Sequence, residues 1–161
     1  MISAGRAHLH VTAVSDPGLR GKSNEDRFAI SAHRLSKANP IPSLLAIIAD
    51  GVGGHRAGEV AAEMAVEAIS RLVAESDAAQ PNQILSQAMA HASHLIYEQS
   101  KRDLAQTGMG TTAVCAWVIG DRLYTAAAGD SRLYLLRSGA LQRLTTDHTW
   151  VQEALDHGAL S

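Results

Sequence analysis

Thiols are all but absent from this chain, whose single cysteine is Cys115. One cysteine closes no internal disulfide and builds no multi-cysteine zinc cage, and such usage suits a reducing, cytoplasmic compartment. Aromatic residues are only 4% of the sequence, which leaves Ala, Val, Ile and Leu to fill the core. Neither sign of charge dominates: 14 Lys and Arg against 16 Asp and Glu leave a net charge of -2. Without a basic run there is no electrostatic footprint for nucleic acid. No apolar run approaches the roughly 20 residues that span a bilayer, and Met1 to His10 lack the apolar stretch of a leader, so no membrane partner is expected. At 161 residues the chain is sized for one domain with a real core.

What is present centres on Ile47-Ile48-Ala49-Asp50-Gly51-Val52-Gly53-Gly54-His55, an apolar run ending in one acid, three glycines and an imidazole. A buried strand that delivers a carboxylate into a loop of small residues holds an exposed oxygen ligand rigidly, which reads as a metal or phosphate site. Around it the pattern predicts strands at Leu9–Val14, Arg27–Ser31 and Leu44–Ala49, with the polar loop Leu19–Asn24 and the proline-bearing loop Ser36–Ser43 between them. From Glu59 the apolar period changes to that of a helix, with Val60, Ala61, Met64, Ala65, Ala68, Ile69, Leu72 and Val73 on one face. A second helix, capped by Asn82, carries Ile84, Leu85, Ala88, Met89, Ala92, Leu95 and Ile96 inward. An antiparallel meander then runs through Thr111–Ile119, Arg122–Ala128, Arg132–Leu136 and Leu141–Leu144, with turns at Gly120-Asp121 and Ser138-Gly139, and Trp150–His157 reads as a last short helix. His91 and His94 have no acidic partner and read as surface residues, Cys115 and Trp117 as core, and Glu59, Glu63 and Glu67 as a solvated helix face.

Four acidic loops lie where predicted strands begin or end: Glu25-Asp26, Asp50-Gly51, Asp130 within Gly129-Asp130-Ser131-Arg132, and Asp147 within Thr146-Asp147-His148. Gathered carboxylates repel, and a hard divalent cation is the usual reason to gather them. Oxygen-only ligation favours Mg²⁺ or Mn²⁺ over Zn²⁺, and two such ions suit phosphoester hydrolysis.

Five motifs in order, Ser23-Asn24-Glu25-Asp26, Ala49-Asp50-Gly51-Val52-Gly53-Gly54-His55 with Gly58-Glu59, Met109-Gly110-Thr111-Thr112, Ala128-Gly129-Asp130-Ser131-Arg132 and Leu144-Thr145-Thr146-Asp147-His148, resemble those of the PP2C (PPM) family of metal-dependent protein phosphatases in its bacterial form. The resemblance runs from about Thr12 to the last residue. It implies an α+β fold, a four-layer α-β-β-α sandwich of antiparallel sheets flanked by helices, of which residues 1–161 would be the N-terminal portion, without the C-terminal strands and helix.

By the same resemblance Asp50 bridges two Mg²⁺ or Mn²⁺ ions, Gly51 offers a carbonyl oxygen, Glu25 binds the second ion and Asp26 holds water on the metal. Asp130 matches the position that helps bind a weaker third ion, and His55 that of a general acid. Met109 to Thr112 and Arg132 look like scaffold. Where the family usually carries a phosphate-binding arginine this sequence has Gly21, leaving Arg20 and Lys22 as the neighbouring cations. The family's two later metal-binding aspartates would fall beyond residue 161. The implied activity is hydrolysis of phosphoserine and phosphothreonine on proteins, the targets of a Ser/Thr kinase. The alternatives are a non-catalytic module that binds a phosphoprotein, or an incomplete fragment of a longer phosphatase.

Overall fold

A computed structural model describes residues 1–19, 23–53 and 57–148. Its centre is a six-stranded antiparallel sheet built from β1 (Ile2–Ser3), β2 (Asp26–Arg34), β3 (Pro42–Val52), β4 (Gly110–Thr111), β5 (Ala113–Ile119) and β6 (Arg122–Ala128). The order is β1-β2-β3-β5-β6, with β4 pairing the far end of β3. A separate two-stranded sheet is formed by β7 (Tyr134–Arg137) and β8 (Ala140–Arg143). Two helices, α1 (Ala57–Glu75) and α2 (Pro81–Arg102), pack on each other and on the sheet. The fold is thus α+β with antiparallel sheets, as expected. Of the four-layer sandwich, the described residues build one helical layer, one large sheet and the small hairpin beside it.

The most apolar strand lies innermost. Leu45, Ile47 and Ala49 are essentially inaccessible and face α1, whereas Ile48, Asp50 and Val52 on the opposite face are exposed. The inward stripe of α1 is mostly alanine, with Ala57, Ala61, Ala62, Ala65 and Ala68 buried beside Ile69 and Val73. Small side chains let the helix lie close to the sheet, which decides the geometry at its first turn. From α2, Leu85, Ala88, Ala92 and Ile96 complete the core. Trp117 is fully buried and its indole N–H donates to Ser43 Oγ at 2.7 Å, while burial pushes the Cys115 thiol up to about 12, leaving it protonated and inert at neutral pH. His91 and His94 are exposed on α2.

Several sequence expectations are corrected. Leu9–Val14 joins no ladder: Val11 to Ser15 instead line a small cavity with Phe28, Ile30 and Ile48 on the exposed face of the sheet. Alternation reports that one face is half covered and does not say whether a ladder partner exists. The second helix begins at Pro81 with Gln80 as the capping residue and no side-chain cap, because the fixed φ and missing N–H of proline suit the first helical position. The meander breaks after β6, where Gly129 at φ +95° turns the chain away, and β7 and β8 pair only with each other through a type I′ turn with positive φ at both Ser138 and Gly139. The expected helix Trp150–His157 lies outside the described residues. No helix among the described residues is long and apolar enough to cross a membrane.

Candidate metal centre

The β2–β3 ladder sets the site. Its register places Asp26, the first residue of β2, directly opposite Asp50 near the end of β3. Both stand on the sheet face away from α1, where directly opposed residues are the closest cross-strand neighbours. Like charges so placed repel, and the Asp50 carboxyl records it. Although Asp50 is exposed as a whole, partial desolvation of its carboxyl comes first in holding it above the usual carboxylate range, and then the charge of Asp26, a hydrogen bond between the two carboxyls, and the charges of Asp130 and Glu25 push it further. Four acids from three separated loops therefore act on one rim. None of the four is in an ion pair among the described residues.

Asp50 and Asp26 are held by their backbones. The Asp50 N–H donates to Thr112 Oγ1 at 3.2 Å, and its carbonyl accepts from the Thr112 N–H and the Thr111 hydroxyl, each at 2.9 Å. Thr112 Oγ1 also lies 2.6 Å from Ser131 Oγ, and a Cβ on Gly129 would meet Thr112 Cγ2 at 2.7 Å. Thr112 is thus the joint that brings the Asp130 loop to Asp50. On the other side, Asn24 Oδ1 accepts from the Asp26 N–H at 2.9 Å while the Asn24 amide donates to Ser15 Oγ at 2.7 Å. The Arg27 guanidinium donates to the carbonyls of Asn24 and Asp26 and pairs with Glu59 in the first turn of α1. The Glu25-Asp26 turn is thereby strapped to the helix.

Glycine is required where helix and loop meet. A Cβ on Gly51 would stand 2.1 Å from the Gly58 carbonyl oxygen and 2.9 Å from that of Glu25. One on Gly58 would stand 2.5 Å from Glu25 Oε2, so the Glu25 side chain reaches the first turn of α1, where the unpaired N–H groups favour an anion. The donors gathered here are all oxygens, and among the described residues no ion pair relieves their charge, which fits a hard divalent cation. Among the described residues no three acidic, histidine or cysteine side chains close into a metal cage on their own.

The family model of protein phosphatase 2C matches residues 14–154, a span that contains all of these loops. The chain belongs to the protein phosphatase 2C family. As a phosphatase 2C chain it is 35% identical over 153 residues to the serine/threonine protein phosphatase PstP of Mycobacterium tuberculosis, covering 95% of this chain and 28% of that one. It is 34% identical over 159 residues to the serine/threonine phosphatase stp of Listeria monocytogenes, covering 95% of this chain and 60% of that one. Among solved structures, the catalytic domain of PstP in complex with 2 manganese ions superposes with a TM-score of 0.75 at 34% identity, covering 92% of this chain and 60% of that one. The Streptococcus agalactiae serine/threonine phosphatase gives 0.72 at 36% identity, again over 92% and 60%. The chain therefore spans less than two thirds of the length of the relatives it matches.

Within this phosphatase 2C framework, Glu25, Asp26, Asp50, Gly51 and Asp130 meet at one rim. Arg20, Lys22 and His55 lie outside the described residues. Asp147 does not join the rim. Its carboxylate accepts from Arg132 Nε at 3.1 and 3.2 Å and from Nη2 at 2.6 Å, with Arg143 at 3.5 Å, and the Arg132 hydrogen bonds hold its pKa below the usual range. The neighbouring His148 N–H donates to the Gly129 carbonyl at 2.9 Å, so this fourth acidic loop supports the third. Arg132, expected as scaffold, pairs with Asp147. Glu59 leaves the solvated face to pair with Arg27, an arginine directly after two acids at a strand start, which is the signal that could have found it.

Proposed function

We propose that this chain carries the metal-binding rim of a protein serine/threonine phosphatase, which hydrolyses phosphoserine and phosphothreonine on proteins with two Mg²⁺ or Mn²⁺ ions. The observation that supports it is the crowding of Asp50 by Asp26, Asp130 and Glu25 at the end of one ladder, with none of the four in an ion pair among the described residues. The manganese in the PstP catalytic domain is the kind of ion such a set of donors takes. In this reading Asp50, the Gly51 carbonyl and Glu25 hold the two ions, and Asp130 holds a weaker third. Bound there, the ions would polarise a phosphoryl group and lower the pKa of water. Asp26, fixed by Asn24 and Arg27, orients the attacking water. Thr112 keeps Asp50 and the Asp130 loop in register, so that the acids need not reorganise during the reaction. His55 is the group proposed to protonate the leaving serine or threonine oxygen, and Arg20 or Lys22 to hold the phosphate. The substrates are phosphoproteins, products of a Ser/Thr kinase, and we place the reaction in the cytoplasm.

The test is Asp50→Asn in the complete protein. Mn²⁺-dependent turnover of a phosphothreonine peptide should fall by at least roughly 100-fold, since even residues that only support ligands cost about 10- to 100-fold. Undiminished turnover would remove Asp50 from this role, and a wild-type protein that binds the peptide without cleaving it would instead be a phosphoprotein-binding module.

A further inference from the structure

The turn that carries Asp130 is gripped at both ends by two adjacent residues. β6 stops at Ala128 and β7 starts at Tyr134, and the hairpin that β7 forms with β8 adds no strand to the main sheet. No ladder among the described residues therefore fixes 129–133. The segment that returns after β8 does so instead, running back alongside the turn. The Leu144 N–H donates to the Leu133 carbonyl at 2.8 Å, the Leu133 N–H to Thr145 Oγ1 at 3.2 Å, the Arg132 guanidinium to the Asp147 carboxylate, and the His148 N–H to the Gly129 carbonyl at 2.9 Å. Asp147 and His148 thus close a bracket on Arg132 and Gly129, and only Asp130 and Ser131 lie between the two grips.

The grips differ in kind. His148 uses its backbone N–H, which any residue but proline would supply there. Asp147 uses its side chain, accepting from Arg132 Nε at 3.1 and 3.2 Å and from Nη2 at 2.6 Å. Its carboxylate is only 14% exposed, so this fork is shielded from the water that makes surface ion pairs weak. Arg143 also reaches Asp147, at 3.5 Å, but it stands on β8, outside the bracket. Asp50 has supports of its own in the β2–β3 ladder and the Thr111 hydroxyl.

We propose that Asp147 is a positioning residue for Asp130: through the Arg132 fork it holds the Asp130 carboxylate at the rim and so sets the affinity for the weaker third ion, without acting on the two ions at Asp50. The proposal rests on the metal reading given above. Groups that hold a ligand in place without touching the metal are worth about 10- to 100-fold in metal affinity. A pair that only stapled the hairpin would leave that affinity alone.

The test is Mn²⁺ calorimetry on the full chain, joined to hydrogen exchange in EDTA of the Leu133 and His148 amides, both of which donate across the bracket. The wild type should show a weak Mn²⁺ step that Asp130→Asn removes. Asp147→Ala should weaken that step about tenfold, leave the tighter binding unchanged and speed exchange of both amides. Asp147→Asn, which keeps one oxygen for the fork, should show the same changes at smaller size, and Arg143→Ala should show none of them. Absence of any weak step that depends on Asp130 overturns the metal reading and the proposal with it. A weak step that keeps its full affinity in both Asp147 variants, or that Arg143→Ala weakens as much as Asp147→Ala does, overturns the proposal alone, as does unchanged exchange of the two amides.

Discussion

Gly58→Ala is the change whose sign the structure reverses. Alanine for glycine inside a helix ordinarily stabilises by about 0.5–1 kcal/mol, because glycine gives up more backbone freedom on folding. At Gly58 the added methyl would lie 2.5 Å from Glu25 Oε2 and 2.8 Å from the Gly51 carbonyl carbon. The Glu25 carboxylate can swing aside. The Gly51 backbone cannot, because it is paired with Thr111 in the β3–β4 ladder and its neighbour Asp50 is bonded on both backbone groups. Relief then requires the first turn of α1 to lift from the sheet, and overpacking of this kind costs about 1–3 kcal/mol. Set against the propensity gain, the net is a loss of about 1 kcal/mol, or a melting temperature lower by roughly 3 °C for a chain of this size. Displacing Glu25 should also weaken Mn²⁺ binding by about tenfold. Thermal unfolding and Mn²⁺ calorimetry of Gly58→Ala would be compared with Gly5→Ala, where nothing lies within 4 Å of the new methyl and little change is expected. A Gly58→Ala protein at least as stable as the parent, with unchanged Mn²⁺ affinity, would refute the close seating of α1 on the Glu25–Gly51 turn.

Other expectations rest on single groups. Thr112→Val keeps the shape and removes the hydroxyl that serves Asp50 and Ser131, so chemical denaturation should show a loss of about 1–2 kcal/mol, and an unchanged midpoint would dismiss Thr112 as the joint. His33 has a folded-state pKa below 6.5, so the unfolded chain binds the extra proton, and stability should drop as pH falls below about 6.5. Urea midpoints at pH 7 and pH 5 should differ more for the wild type than for His33→Gln, and equal differences would contradict the burial of a neutral imidazole. Asp50 has the opposite sign: its raised pKa means that ionised Asp50 opposes folding above the usual carboxylate range. Asp50→Asn should therefore raise the melting temperature at pH 7 in EDTA, where a decrease would show that the acids do not crowd one another.

The parts of this fold legible in the sequence are those written as one-dimensional patterns. The run Leu44–Ala49 gave the innermost strand, the stripe of α2 contained every residue that helix buries, and that of α1 contained Ala61, Ala65, Ala68, Ile69 and Val73 but missed Ala57, Gly58 and Ala62, which are buried because the helix starts two residues earlier and lies close to the sheet. Leu9–Val14 has the same alternation as a strand, yet it lies across the exposed face of the sheet, because period reveals a covered side and not a ladder edge. At the site, the motifs named the acids that gather, since each sits at a strand end. What they could not rank was partnership. Asp147 looks like Asp130 in the sequence, but Arg132 and Arg143 reach it first, and Glu59 looks like Glu63 until Arg27 is folded against it. Thr112 read as scaffold, and its weight comes from bonding to two loops that are 62 and 19 residues away in the chain.

The central claim, that Glu25, Asp26, Asp50 and Asp130 converge to hold a divalent cation, is tested most directly by anomalous scattering from a crystal of the protein grown with Mn²⁺. Manganese peaks should appear against the Asp50 carboxylate and between it and Glu25, and should vanish in Asp50→Asn. Crystals of well-folded protein with no peak at this rim, or with manganese bound only elsewhere, would contradict it.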